Sequence, residues 1–264
     1  MEYYWFTFVL LILFGILVGT VAVLGGIGGS VIGVPLLVIF LSVEEDIAAG
    51  SAPLIILISS GFGFILLKKQ NRVNVKLSLV CSAYTILGSL ISTIIFLIFP
   101  VENYVIRLVF ACVMIYVSLN LFFRKEPNND NYSNNLKDFS LEFEAHRDLI
   151  KKGIPLFLLA GFLANLIGIG GGIINTPTLH YIFKFPIYYA TPHSTGIVFF
   201  TSVFNLIVKV IQGKVDIIIG VLMGSGGIIG AYLGAKVSQK ISRRKLTLIL
   251  GVILLIGAVR LFFP

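Results

Sequence analysis

Two stretches of this chain hold residues able to do chemistry in an apolar setting. "LGGIGGSVIGVPLL" covers 24–37, and "LIGIGGGIINTPTL" covers 166–179, 142 positions further on. Each puts a glycine run ahead of a short apolar segment that carries a proline, Pro35 or Pro177. A helix broken there leaves the next helix with unpaired N–H groups at its start, where the peptide dipoles sum to a partial positive charge. Glycines keep side chains out of the way, so a small anion can reach those N–H groups. The expected contacts are the backbone around Gly28, Gly29, Ser30, Gly170, Gly171 and Gly172. Pro35 and Pro177 are read as lying near first turns, where a missing N–H costs little.

Polar side chains near these breaks extend the candidate set. Asn165 and Asn175 bracket the second break, and either can bond a substrate or the freed carbonyls. Thr176 lies just inside the segment that follows, and "ATPHST" sets His193, Ser194 and Thr195 at the start of another apolar run. In the first half the matching text is "AAGSA", with Ser51 opposite His193. A histidine beside a bound anion can couple transport to protons. It can equally be an interfacial residue donating to a carbonyl, and both readings stand at this stage. Ser30, Ser51 and Thr176 carry the alternative of back-bonding within their own helices. No nucleophile–base pair, metal cluster or nucleotide loop is visible; "GGIGGS" lacks the Gly-Lys-Ser/Thr ending of a phosphate loop. The expectation is a non-enzyme without cofactor or metal.

The elements that position these residues follow from composition. The 264 residues are 57% hydrophobic and 12% charged, with a mean hydropathy of +1.01, so a soluble domain could not cover its surface with polar groups. Runs such as 5–24, 77–99 and 246–263 approach the roughly 20 residues of a membrane-spanning helix. They are continuous rather than alternating, which argues against barrel strands and predicts an all-α polytopic membrane protein. The N-terminal stretch lacks a basic leader region and a small-residue cleavage site, so it is read as the first span, with Tyr3, Tyr4 and Trp5 as an interfacial anchor. Cys81 and Cys112 sit in apolar runs and are read as packing residues. The net charge of +8 resides mostly in loops, which points to orientation in the bilayer of the cell membrane rather than to nucleic acid.

Sliding the sequence by 142 superposes the halves without a gap over most of a hundred residues. Gly19, Ala22, Gly26, Gly28, Gly29 and Pro35 fall on Gly161, Ala164, Gly168, Gly170, Gly171 and Pro177. This predicts an internal repeat: membrane repeat 1 over 1–123, a polar cytoplasmic linker over 124–152 and membrane repeat 2 over 153–264. The hydrophobic segments fall at about 3–24, 30–42, 47–67, 77–99 and 103–123, then 154–167, 172–183, 189–208, 215–235 and 245–263. Five segments per half inverts the second half, giving eight full spans plus short or re-entrant pieces. With both termini outside, Lys68, Lys69, Arg72, Lys76, the linker, Lys184 and the cluster 236–245 share the cytoplasmic side. The linker holds "EPNNDNYSNN", a flexible polar run, and then "LEFEAHRDLIKK", expected as an amphipathic surface helix leading into the second half.

Paired interrupted segments in an inverted repeat mark a transporter site near the bilayer midplane. At "GGIGGSVIGVPLL" and "GIGGGIINTPTL", and more weakly at "AAGSA" and "ATPHST", the chain resembles the sulfite exporter TauE/SafE family over nearly its whole length. The resemblance implies secondary transport, driven by an ion gradient, of small sulfur-containing or carboxylated anions such as sulfite, sulfonates or sulfoacetate. Protons or sodium are the coupling ions it suggests, with His193 as the proton candidate. Ser30 stands where that family's glycine run has a third glycine, so the two half-sites are not equivalent. Two other readings remain open: an anion channel using the same helix ends as a filter, and a membrane scaffold whose glycines serve packing alone. Gly226, Gly230 and Gly234 form a small-residue stripe that suits packing and offers an interface for a homodimer.

Overall fold

The computed structural model describes residues 5–26, 28–98, 143–168 and 170–237, with isolated positions between 108 and 119 and at 252 and 255. These residues form eight helices: α1 (Trp5–Gly25), α2 (Ser30–Leu41), α3 (Glu45–Lys69), α4 (Val75–Ile98), α5 (Phe143–Ile167), α6 (Gly172–Tyr181), α7 (Ile187–Ile211) and α8 (Ile217–Val237). All except α2 and α6 are long and apolar enough to cross a membrane. Their outward faces carry large apolar side chains such as Leu97 and Ile211, as a lipid-facing surface requires. The segments expected at 103–123 and 245–263 fall outside the described residues apart from isolated positions, as does the asparagine-rich run of the linker.

The second half begins differently from the sequence reading. "LEFEAHRDLIKK" does not form a separate surface helix. From Phe143 onward it is the first part of α5, which runs without a break to Ile167. Pro155 lies inside that helix, and the apolar stretch that can span begins at His146. Pro35 and Pro177 also differ from expectation. Each is the sixth residue of its short helix, well past the first turn. A proline there leaves the carbonyl four residues earlier, that of Val31 or Ile173, without its helical donor.

Lipid tails give helices no hydrophobic reason to associate, so close packing through small residues does that work. The glycine stripe on α8 illustrates it. A Cβ on Gly226, Gly230 or Gly234 would run into the backbone of Ile12, Ile16 or Thr20 of α1. That face of α8 is therefore filled within the chain, and a homodimer would have to use another surface. On the other side Gly88 packs on the backbone of Leu158, and Gly161 on that of Thr85. These pairs correspond under the 142 offset: Gly19 on Gly227 matches Gly161 on Thr85, and Gly230 on Ile16 matches Gly88 on Leu158.

Two large apolar cores result, beside a smaller one of Val23, Leu67, Ala231 and Ala235. One joins α1, α2, α3 and the start of α8 through Leu11, Val18, Ile32, Leu37, Ile55 and Met223. The other joins α4 to α5, α6 and α7 through Leu77, Cys81, Phe157, Leu179, Phe183 and Ile197. Each large core joins three long helices and one short one, and takes one of the long helices from the opposite half of the chain. Polar ties at the helix ends follow the same exchange. The Asp216 N–H, at the start of α8, donates to Ser51 Oγ at 2.8 Å, and the Asn74 N–H, at the start of α4, donates to His193 Nε2 at 2.9 Å. Lys214 Nζ meets Asp46 Oδ2 at 2.8 Å. At the corresponding place Arg72 donates to Tyr188 O at 3.0 Å and lies 3.8 Å over the Tyr188 ring.

Candidate functional site

Both glycine runs break the chain in the same way. Gly26, Gly28 and Gly29 have φ of 64, 84 and 67°, and Gly168, Gly170 and Gly171 have 73, 80 and 69°. Three left-handed residues in four positions are open only to glycine at modest cost, which is why the run cannot carry ordinary side chains. α1 and α5 close with N–H bonds from Gly26 to Ala22 O at 2.9 Å and from Gly168 to Ala164 O at 3.0 Å. The next helices then start afresh. Inside α6 the first carbonyl used is Gly171 O, taken by the N–H groups of Ile174 and Asn175 at 3.1 Å each. The N–H groups of Gly172 and Ile173 therefore point out of the helix start.

The two breaks meet. A Cβ built on Gly170 would stand 3.7 Å from Gly28 Cα, 3.0 Å from Ile56 Cδ1 and 3.3 Å from Val198 Cγ1. Ile56 and Val198 are themselves a pair under the 142 offset, so equivalent apolar side chains flank the junction of α2 and α6. Ser30 opens α2, is fully buried, and its Oγ has no hydrogen-bond partner among the described residues. Thr176 Oγ1 donates to Gly26 O at 3.2 Å, and Ser194 Oγ donates to the same oxygen at 2.6 Å. These hydroxyls tie off the carbonyl end of α1, whose partial negative charge would oppose an anion held by the facing N–H groups.

Of the residues singled out from the sequence, the structure gathers Gly28, Gly29, Ser30, Gly170, Gly171, Gly172, Thr176 and Ser194 around the two breaks. It turns three others elsewhere. Thr195 Oγ1 back-bonds to Thr191 O at 3.0 Å. Asn165 Nδ2 reaches across to α4, donating to Thr93 Oγ1 at 3.0 Å and to Ser89 O at 3.3 Å. His193 accepts from Asn74 at Nε2, so its proton sits on Nδ1, which donates to Tyr189 O at 2.7 Å. The imidazole thereby links the start of α4 to α7, as a serine does in the other half. His193→Ala is expected to destabilise the protein by about 1–3 kcal/mol, because it strands a buried N–H. His193→Gln, which keeps an acceptor, should lose less. Thermal unfolding in detergent compares the two.

Asn175 is buried, and its Oδ1 has no partner among the described residues. Sequence reasoning missed a polar group on α4 and α7: Ser89, Ser92, Thr93, Thr201 and Asn205, all buried except Thr93. Comparing the halves position by position would have found it, since Asn165 and Asn205 fall on Val23 and Gly63. A groove of about 580 Å³ lies away from the breaks, lined by Ser42, Val43, Glu44, Ile47 and residues 215–219. Glu44 and Asp216 make it a poor surface for an anion.

Broken helices that meet inside a bundle of helices long and apolar enough to cross a membrane are the architecture expected of an integral membrane transporter. The chain belongs to the sulfite exporter TauE/SafE family, whose profile matches residues 11–261. It is 26% identical to the probable membrane transporter protein YunE of Bacillus subtilis, over 97% of this chain and 98% of that one. It is 27% identical to the probable membrane transporter protein MJ0441 of Methanocaldococcus jannaschii, over 96% and 94%. YjnA of Bacillus subtilis, also described as a probable membrane transporter protein, is 23% identical over 95% and 98%. No solved structure matches.

Proposed function

We propose that the chain is a secondary transporter that exports a small sulfur-containing or organic anion, such as sulfite or a sulfonate, across the cell membrane. The observation that carries this reading is the approach of Gly28 and Gly170, which brings the two helix starts together. The Gly172 and Ile173 N–H groups face out of α6, while at α2 the Ser30 N–H is taken by Gly28 O at 2.7 Å. The buried, unpartnered Ser30 hydroxyl adds a donor there, and Thr176 and Ser194 neutralise the carbonyl end that would repel the ligand.

The two halves are inverted repeats in this reading, and helix directions support it. α3 and α4 are joined by the short turn after Lys69, so they run antiparallel. Gly196 beside Ser78, together with the Thr201–Thr85 hydroxyl pair, makes α4 and α7 parallel. α7 therefore opposes α3, its counterpart under the offset. The termini then lie outside and the linker inside, where the lysines and arginines gather. A gap of 3.7 Å between a Gly170 Cβ position and Gly28 Cα leaves no room for an oxyanion, so binding requires the halves to part. Rocking of one half against the other, alternately opening each side, supplies that motion.

The test is flux in proteoliposomes with labelled sulfite and a panel of sulfonates and carboxylates. A transporter gives saturable flux that unlabelled anion on the far side accelerates. A channel gives no such acceleration, and that result would sink the carrier reading.

A further inference from the structure

We propose a second site, for a sodium ion, among α4, α5 and α7 in the half of the bundle that lies past the glycine breaks. Its purpose as a coupling site rests on the transporter reading above; its existence does not. Three buried oxygens there have no hydrogen-bond partner among the described residues: Asn165 Oδ1, Asn205 Oδ1 and Ser92 Oγ. Their residues are 3%, 2% and 0% exposed. Leaving such groups unsatisfied in a membrane interior is costly, and polar residues at that depth generally serve a ligand.

The geometry brings them to one seam. α4 and α7 run parallel, with Thr85 against Thr201, so one turn further on Ser89 comes beside Asn205. Ser89 and Ser92 lie on one face of α4, and Ser89 Oγ donates to Gly161 O of α5 at 2.9 Å. From α5, Asn165 donates to Ser89 O and Thr93 Oγ1. That pair of bonds fixes the amide: Ser89 O is an obligate acceptor, so Nδ2 must face it and Oδ1 must face away.

The other half shows what this seam looks like without a ligand. Under the 142 offset Asn165, Asn205, Ser89, Ser92 and Thr93 become Val23, Gly63, Ala231, Gly234 and Ala235. There Val23, Ala231 and Ala235 pack with Leu67 as a closed apolar cluster. The same fold is thus stable with an apolar seam, and the polar version is not needed to hold the helices together.

The donor set selects the ligand. Two buried amide oxygens without a partner among the described residues are acceptors, which an anion cannot use. The described seam residues Ser89, Ser92, Thr93, Asn165 and Asn205 carry no ionisable side chain, so they offer no group for a proton. Carboxylates, which calcium and magnesium sites need, are missing from the seam residues. Neutral hard oxygens from amides, hydroxyls and carbonyls suit a monovalent cation of sodium size. Lys209, the charged residue of α7, lies one turn beyond Asn205 where the other half has Leu67, and its long stem allows the ammonium to reach the membrane surface.

Binding of ²²Na⁺ to the purified protein, without any anion substrate, tests the site. Unlabelled sodium and choline chloride compete at constant ionic strength. Saturable binding displaced by sodium and not by choline is expected. Asn165→Val and Asn205→Gly, each borrowing its counterpart from the other half, should weaken it by about tenfold or more. Ser92→Ala, which removes one oxygen without adding volume, carries the test if those variants do not fold. Absence of saturable sodium binding by the wild type, or binding unchanged in folded variants, overturns the proposal. Because no substrate is present, a protein that moves anions but binds no sodium loses only this site. One that binds sodium but moves no anion loses only the transport reading.

Discussion

Gly170→Ala is expected to abolish saturable anion flux while costing only about 1–2 kcal/mol of stability, the usual price of a side chain in left-handed backbone. Gly170 has φ 80°, so the strain is local and bounded. The new methyl would meet Ile56 Cδ1 at 3.0 Å and Val198 Cγ1 at 3.3 Å, both tips of side chains able to shift by a few tenths of an ångström. It would also stand 3.7 Å from Gly28 Cα, in the space between the two helix starts. Packing can absorb the methyl; an anion seeking the N–H groups behind it cannot. Proteoliposome flux read beside a thermal melt separates the two effects. Normal flux in a folded Gly170→Ala protein would remove the facing helix starts from the mechanism.

Gly161→Val should do the opposite and prevent the protein from folding, with a loss above about 3 kcal/mol. A Cβ at Gly161 collides with the backbone carbonyl of Thr85, and backbone in a packed helix cannot move aside as a side-chain tip can. Separating α5 from α4 would also break the Ser89 Oγ bond to Gly161 O. The expected reading is loss of the monodisperse peak in detergent chromatography. Gly213→Ala is the contrast, since its φ is 68° and nothing lies within 4 Å of the added carbon. It should fold, at about 1 kcal/mol. Together these variants divide the glycines into those that bring helices together and those that leave room for a ligand. A scaffold without a transport site predicts that folded Gly170→Ala is silent.

The breaks were legible because they rest on local rules: a glycine run has no helical reason to exist in an apolar stretch, and its duplication at 24–37 and 166–179 fixes where a helix must end and restart. The long helices were legible from hydropathy, to within a few residues at α1, α3, α4 and α8. Side-chain direction was not. His193 and Asn165 stood beside the motifs in sequence, yet one bonds the start of α4 and the other its middle, because α4 packs against both α5 and α7. That packing is a long-range fact, carried by Gly88 and Gly161, which reads in sequence only as small residues in a helix. The start of α5 was misplaced for a related reason. Charged residues at 144–152 suggest a surface segment, but the helix continues through them into the apolar run. The fate of the 226–234 stripe was equally closed, since a small-residue face does not say whether its partner is α1 or another copy.

The central claim is that backbone N–H groups at the two helix starts hold the anion. Amide hydrogen exchange followed by mass spectrometry, with and without the anion that gives saturable flux, tests it most directly. The account predicts slower exchange in both segments, 24–37 and 166–179, with little change in α8. Protection confined to one of them, or found instead around Glu44 and Asp216, would contradict it.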